Sequence, residues 1–175
     1  MQKSKSGGLT RMAWAKNGTP DTLSIAADEL LISDLTPTTF NVTLSHSLHT
    51  GDNSIFSRSG NASIDTGTNY SNRSELNGGT DTTVTSQDDI AVGATLAGDS
   101  DIFSFSYFIN ISTEEKLYIF QTIASNTDGA GNVPNRINTV GKWVNTTDQA
   151  DNFNIINQTT GSYDIDSNLS LLGTD

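Results

Sequence analysis

Ile102-Phe-Ser-Phe-Ser-Tyr-Phe-Ile-Asn-Ile111, followed across a short acidic turn by Leu117-Tyr-Ile-Phe-Gln-Thr-Ile-Ala124, is the stretch that decides the fold. In the first segment Phe103, Phe105, Tyr107, Ile109 and Ile111 share one parity, and Ser104, Ser106, Phe108 and Asn110 share the other. Successive side chains of a strand point to opposite sides of its sheet, so a period of two marks a strand with unlike faces. The aromatic parity is expected to be buried and the serine parity wet. Phe40, Val42, Leu44, His46 and Leu48 alternate in the same way with Asn41, Thr43, Ser45 and Ser47, and the same assignment is expected. The second segment is apolar on both parities apart from Gln121 and Thr122, which predicts a central strand covered on both sides. Glu114 and Glu115 make the turn between the two.

Working outward, shorter strands are expected at Thr22 to Ala26, Glu29 to Ser33, Asp89 to Val92, Val140 to Val144, Asn152 to Ile156 and Asn168 to Leu172. The composition agrees: 24 Thr, 21 Ser, 17 Asn and 15 Gly favour strands joined by turns over helices. An all-β fold is expected, an antiparallel β-sandwich arranged as a jelly roll of about 8 to 10 strands. At 175 residues the chain reads as one domain, residues 21–175, preceded by a basic arm, tag or flexible lead over residues 1–20. Two polar segments interrupt the strands. Residues 60–79 read as a long loop in which Gly60, Gly67, Gly78 and Gly79 can take positive φ and Asn61, Asp65, Asn69 and Asn72 can close Asx-turns. Residues 126–138 form the second, where glycines and Pro134 exclude an ordinary strand.

Charge is divided along the chain. Lys3, Lys5, Arg11 and Lys16 lie in the first twenty residues, whereas all 20 acids lie from Asp21 onward with only five bases among them. Such an acidic body repels phosphate backbones and anionic lipid, so no nucleic-acid partner is expected. No run approaches the length of a membrane span, and the start lacks a secretory apolar stretch. With no cysteine, disulfides, Cys-ligated zinc and cysteine nucleophiles are excluded.

Chemistry is sparse. His46 and His49 sit three apart and so face opposite sides of a strand. The adjacent acids Asp88 and Asp89, or Glu114 and Glu115, diverge in the same way. No nucleophile elbow, zinc helix motif or phosphate loop occurs. Calcium is the ion best served, by Asp99, Ser100 and Asp101 or by Asp164, Asp166 and Asn168. The second set carries Leu169 where an EF-hand loop needs glycine, so no cofactor or metal site is expected. Asn-x-Ser/Thr sequons at Asn17, Asn41, Asn61, Asn69, Asn72, Asn110, Asn145 and Asn157 make these candidate glycosylation sites in a host that modifies them, the first weakened by Pro20.

Three blocks together carry a resemblance. Ile-Asp-Thr-Gly-Thr-Asn-Tyr-Ser-Asn-Arg at 64–73 resembles a segment of the structural proteins of tailed phages and archaeal viruses common in the sea. Asn-Thr-Asp-Gly-Ala-Gly-Asn-Val-Pro-Asn-Arg at 126–136, then Gly-Lys-Trp-Val-Asn-Thr at 141–146, resembles the block that follows there. The end, Gly161-Ser162-Tyr163-Asp164 through Leu171-Leu172-Gly173, is similar to the closing strand of that group, with Asp166 where glycine is common. The resemblance implies a non-enzymatic virion component, a capsid decoration protein, head fibre or tail-fibre tip, on the surface of the particle. It implies a homo-oligomer, a trimer among its forms, with the major capsid or tail proteins as partners. Trp14 and the basic arm would then dock on the particle, while Asp65, Tyr70, Arg73, Asn135 and Arg136 would face outward or a neighbouring subunit. Two other readings stand beside it: an adhesin for host-surface glycans in which Tyr70, Trp143 or Tyr163 stacks on sugar, and a self-assembling extracellular filament subunit.

Overall fold

Strands β1 (Ala15–Lys16), β2 (Asp21–Thr22), β3 (Glu29–Ile32), β4 (Phe40–Ser47), β5 (His49–Thr50), β6 (Ile55–Asn61), β7 (Ser63–Ile64) and β8 (Tyr70–Leu76) form the first half of the molecule. The second half consists of β9 (Thr82–Gln87), β10 (Ile90–Ala91), β11 (Ile102–Ile109), β12 (Lys116–Ala124), β13 (Asn135–Trp143), β14 (Asn152–Asn157), β15 (Ser162–Tyr163) and β16 (Asn168–Thr174). This computed structural model describes residues 13–51, 54–93, 101–125 and 129–175, and no helix occurs among them.

Every strand pair is antiparallel, and two sheets pack face to face. The larger runs β1-β16-β4-β11-β12-β13-β8-β9, with β2 also on β16; the smaller runs β10-β6-β14-β3, with β7 on β6. Taking β1 and β2 as one interrupted strand, the chain visits the large sheet, then β3 in the small, β4 in the large, β6 and β10 in the small, β11 in the large, β14 in the small and β16 in the large. That is the order of a jelly roll, two intertwined Greek keys, as the sequence leads one to expect. The two remaining excursions, β8–β9 between β6 and β10 and β12–β13 between β11 and β14, extend the large sheet beyond β11. β1 is already part of that sheet, and the Asn17 amide donates to Thr36 O and Thr38 Oγ1. The sandwich therefore starts before residue 20, and residues 1–12 of the expected arm lie outside the described residues.

The expected faces of β4 and β11 are reversed. Asn41, Thr43, Ser45 and Ser47 are buried, as are Ser104, Ser106 and Phe108, while Phe40, Leu44, Phe103 and Tyr107 are exposed. Inward hydroxyls are tolerated because they pair across the two strands: Thr43 Oγ1 with Ser106 Oγ and Ser45 Oγ with Ser104 Oγ, each at 2.6 Å and each directly opposite in register. A buried hydroxyl costs little only when it is bonded, and these supply each other. β12 alternates too: Lys116, Tyr118, Phe120, Thr122 and Ala124 point in, while Leu117, Ile119 and Ile123 point out. The expectation that both sides of β12 are covered is therefore not met within one chain.

The core is supplied instead by aromatics from both sheets. Phe153 of β14 stacks on Phe108 at 5.8 Å, Phe108 on Tyr118 at 5.0 Å, and Tyr118 on Phe120 at 5.8 Å. Such pairs add about 0.5 to 1.5 kcal/mol each beyond their burial. Tyr118 also ties the sheets together through a 2.6 Å bond between its hydroxyl and Ser59 Oγ of β6.

The segment 60–79 is not one loop. β7 folds back on β6, and β8 pairs with β13 over Tyr70–Leu76. Gly60 is needed for space and not for positive φ, because a Cβ there would lie 1.8 Å from Ser63 O. β8 then turns into β9 through Asn77 and Gly78, at φ 54° and 78°, closed by Gly79 N donating to Leu76 O. Both central residues of this tight turn are left-handed, as Asn-Gly favours, and three further residues, 79–81, lead into β9, whose pairing with β8 starts at Ser74 and Thr82.

Removing one partner of an inward hydroxyl pair tests the reversed faces. Ser45→Ala or Ser104→Ala alone is expected to lower unfolding stability by about 1 to 3 kcal/mol, and the double variant by clearly less than the sum of the two. Urea denaturation of the four proteins checks it; additive or negligible losses would place those serines in solvent.

Candidate functional site

The outer face of the large sheet is the chemically unusual surface. Phe40 and Leu44 of β4, Phe103 and Tyr107 of β11, Leu117, Ile119 and Ile123 of β12 and Val140 of β13 are each 39 to 53% exposed, and they adjoin one another across the ladders. Tyr107 faces Ile119, which faces Val140, in one cross-strand row. A groove of about 780 Å³ runs over Phe40, Tyr107, Leu117, Ile119 and Val140 and is bounded by Trp14 at one end and by Arg73, Thr83 and Thr85 at the other. No acid projects outward from β4, β11, β12 or β13, although the chain carries 20. His46, Gln121, Arg136, Asn138 and Lys142 are the polar residues on that side of these four strands. Monomeric proteins rarely leave a contiguous apolar patch of this extent open to water.

The residues singled out from the sequence divide. Trp14, 48% exposed, lies at the margin of this groove, and Arg73 lines it while standing 3.7 Å from Asp81. Asp65 and Tyr70, expected to face outward, are turned in and used to close the fold. Asp65 Oδ2 accepts from Trp143 Nε1 at 2.7 Å and from Asn69 Nδ2 at 2.8 Å, and Oδ1 accepts from Gly67 N at 2.8 Å. Burial opposes ionisation of Asp65, but the three donors outweigh it and hold the carboxyl below its usual range. Tyr70 is buried in a stack with Trp143, donates to Ser59 O at 2.7 Å and accepts from Ser59 N at 3.1 Å, and burial raises its pKa. Lys116, also buried, spans Glu114 O and Asn145 O at 3.0 and 2.7 Å beneath the Trp143 ring; desolvation lowers its pKa. The blocks 64–73 and 141–146 thus meet to form one clamp between the sheets.

Asn135 and Arg136 are bound within the chain. Asn77 donates to Asn135 Oδ1 and accepts from Arg136 N, and the Arg136 guanidinium reaches Glu75 at 3.3 Å. Residues 126–128 of their block lie outside the described residues. Burial of Tyr70, Trp143 and Tyr163 removes all three as a sugar platform, which corrects the adhesin reading at those positions. His46 is exposed and His49 is buried against Tyr163 at 5.1 Å, on opposite faces as expected.

Among the sequons, Asn17, Asn41, Asn72, Asn110 and Asn157 are buried. Asn41 and Asn110 use their amides to hold Thr38 O and Ala150 O, so a glycan at either would displace folded chain. Asn61 and Asn69 are exposed, and Asn145 is partly so. A further sequon, Asn168-Leu169-Ser170, begins β16. Of the calcium candidates, Asp99 and Ser100 lie outside the described residues. Asp164 and Asn168 bond to the turn backbone at Ile165 N and Asp166 O, and no cluster of three or more His, Asp or Glu suited to a metal occurs among the described residues. On the small sheet's side, Arg58 pairs with Asp88 at 2.5 Å and with the buried Asp89 at 3.8 Å. Burial raises the Asp89 pKa despite its 2.6 Å bond from Gln158.

The outward residues Phe103, Tyr107, Leu117, Ile119, Ile123 and Val140 were assigned to the core from the sequence or passed over. The signal for them was β12 itself, apolar on both parities.

No protein-family model and no curated protein matches the chain. Among solved structures, a protein of unknown function, SO2946 from Shewanella oneidensis MR-1, aligns at 14% identity over 92% of this chain and 83% of that one, with a TM-score of 0.20, a likeness that carries no argument.

Trp143→Phe keeps the ring stack but removes the donor to Asp65. Because the Asp65 pKa is depressed below 3.8, its stabilisation is complete above that value and is lost as pH falls through the folded pKa. The variant is expected to be less stable at neutral pH by about 1 to 3 kcal/mol and to lose less on acidification than the wild type. Denaturation curves at neutral and acid pH decide; an unchanged acid limb contradicts the clamp.

Proposed function

We propose that the chain is a non-enzymatic structural protein that works in multiple copies, as a homo-oligomer on the surface of a particle. The observation that carries this is the reversed large sheet, which turns hydroxyls to the core and leaves a wide apolar face outside, with no acid on β4, β11, β12 or β13. Leaving that face in water forfeits about 25 cal/mol per Å² of apolar surface, so the chain gains by association. The rest of the surface is strongly acidic, which keeps copies apart except at this face. The three sequence blocks resembling virion proteins supply the setting: a capsid decoration or fibre component whose partners are the major capsid or tail proteins. The meeting of two of them, 64–73 and 141–146, in the Asp65–Tyr70–Trp143 clamp supports a role in holding the shape of the module, since the side chains in question are occupied internally. The glycan adhesin is less favoured, because the exposed Trp14, Phe40 and Tyr107 lie in a groove lined chiefly by hydrocarbon, with few groups placed for sugar hydroxyls.

Light scattering on the purified protein tests the multi-copy reading, with an expected mass that is a whole multiple of 18.6 kDa. Imaging of native particles is expected to show this module as repeated surface density. A mass of 18.6 kDa at all concentrations contradicts the reading.

A further inference from the structure

We infer that the outer face of the large sheet is covered by the same face of a second copy of the chain, sheet against sheet, about a symmetry axis passing close to the Tyr107–Ile119–Val140 row. The inference rests on the multi-copy reading and adds to it the geometry of the contact, like face on like face about an axis near that row.

Extent is the first argument. Bare side chains of this size present on the order of 150 to 250 Å², so Trp14 and the eight outward residues, about half exposed, offer roughly 800 Å², the amount one partner contributes to a standard interface. Charge is the second argument. Two copies of net charge −11 repel, and the four strands β4, β11, β12 and β13 form a surface from which no acid projects outward. These four strands, bordered by Glu75 of β8, which accepts from Asn138 and pairs with Arg136, are therefore where one such chain can approach another. Backbone chemistry is the third. The inner strands of the sheet have their N–H and C=O groups committed to ladders on both sides, so a partner here needs side-chain complementarity and no further hydrogen bonds. Sheets with apolar inner faces satisfy that need by packing nearly aligned, about 30° apart and about 10 Å between planes. The central row combines aromatic, β-branched and long apolar residues, which can interdigitate with their symmetry mates. Lys142 and Arg73 flank it, each held near an acid, Glu115 at 2.8 Å and Asp81 at 3.7 Å.

The absence of cysteine allows a direct test. Tyr107→Cys, Ile119→Cys and Val140→Cys are made one at a time, with Ile25→Cys, at a site 73% exposed, as control. At least one of the three is expected to form a covalent dimer on mild oxidation, on the order of a hundredfold faster than the control, because the assembly holds paired thiols at millimolar effective concentration. Ile119→Asp is expected to give a monomer with an unchanged circular dichroism spectrum, and added salt is expected to strengthen wild-type association. An oligomeric wild type whose three cysteine variants link no faster than the control overturns this assignment and leaves the multi-copy reading standing. A wild type that stays at 18.6 kDa overturns both, as does a monomer found by native mass spectrometry with an apolar ligand in the groove.

Discussion

The two hydroxyl pairs between β4 and β11, Thr43 with Ser106 and Ser45 with Ser104, are the constraint on which the rest depends. A strand has a side-chain period of two, so fixing these four side chains inward fixes every neighbour outward. Phe103 and Tyr107 on one strand and Phe40 and Leu44 on the other then have no place in the core. β12 and β13 follow, because their register with β11 carries the outward parity to Ile119 and Val140. An apolar outer surface is thus a consequence of the core chemistry at the jelly roll's centre, propagated strand by strand through the ladder. This arrangement carries a cost, since the hydroxyls of Ser47 and Thr139 are buried with no hydrogen-bond partner among the described residues. The proposed association of the opposite face would offset it.

The second organising feature lies at the edge of the added strands. The small sheet reaches the extended part of the large one through Asp65, Tyr70 and Trp143, and Tyr118 makes a parallel connection through Ser59. These contacts let β8, β9, β12 and β13 behave as a continuation of the sandwich and give the outer face a rigid backing. Rigidity matters for the proposed assembly, because a preorganised surface loses less conformational entropy on docking.

Much of the architecture was legible in the sequence. Alternation in 40–48 and 102–111 located β4 and β11, and Gly/Asn/Asp-rich turns between short apolar runs indicated a sandwich. β8 was not legible, since Tyr-Ser-Asn-Arg-Ser-Glu-Leu is mostly polar, and the Asn77-Gly78 turn was the available mark of its hairpin. The sense of the faces was hidden for a different reason. Periodicity says which residues share a side, and hydrophobicity says that one side should be dry, but a side can be dried by another chain. Phe103 and Tyr107 were therefore grouped rightly and placed wrongly. The sequons misled similarly: Asn41 and Asn110 fit a surface motif, yet they are interior amides that satisfy backbone carbonyls.

Tyrosine nitration measures the central claim most directly, because the chain has four tyrosines and the structure turns only Tyr107 outward. In the assembled protein all four should resist the reagent, and in a dissociated, folded monomer Tyr107 alone should react while Tyr70, Tyr118 and Tyr163 stay protected. Reaction at Tyr118 with Tyr107 protected in that monomer would mean that the sheet faces the other way, and the account would fail with it.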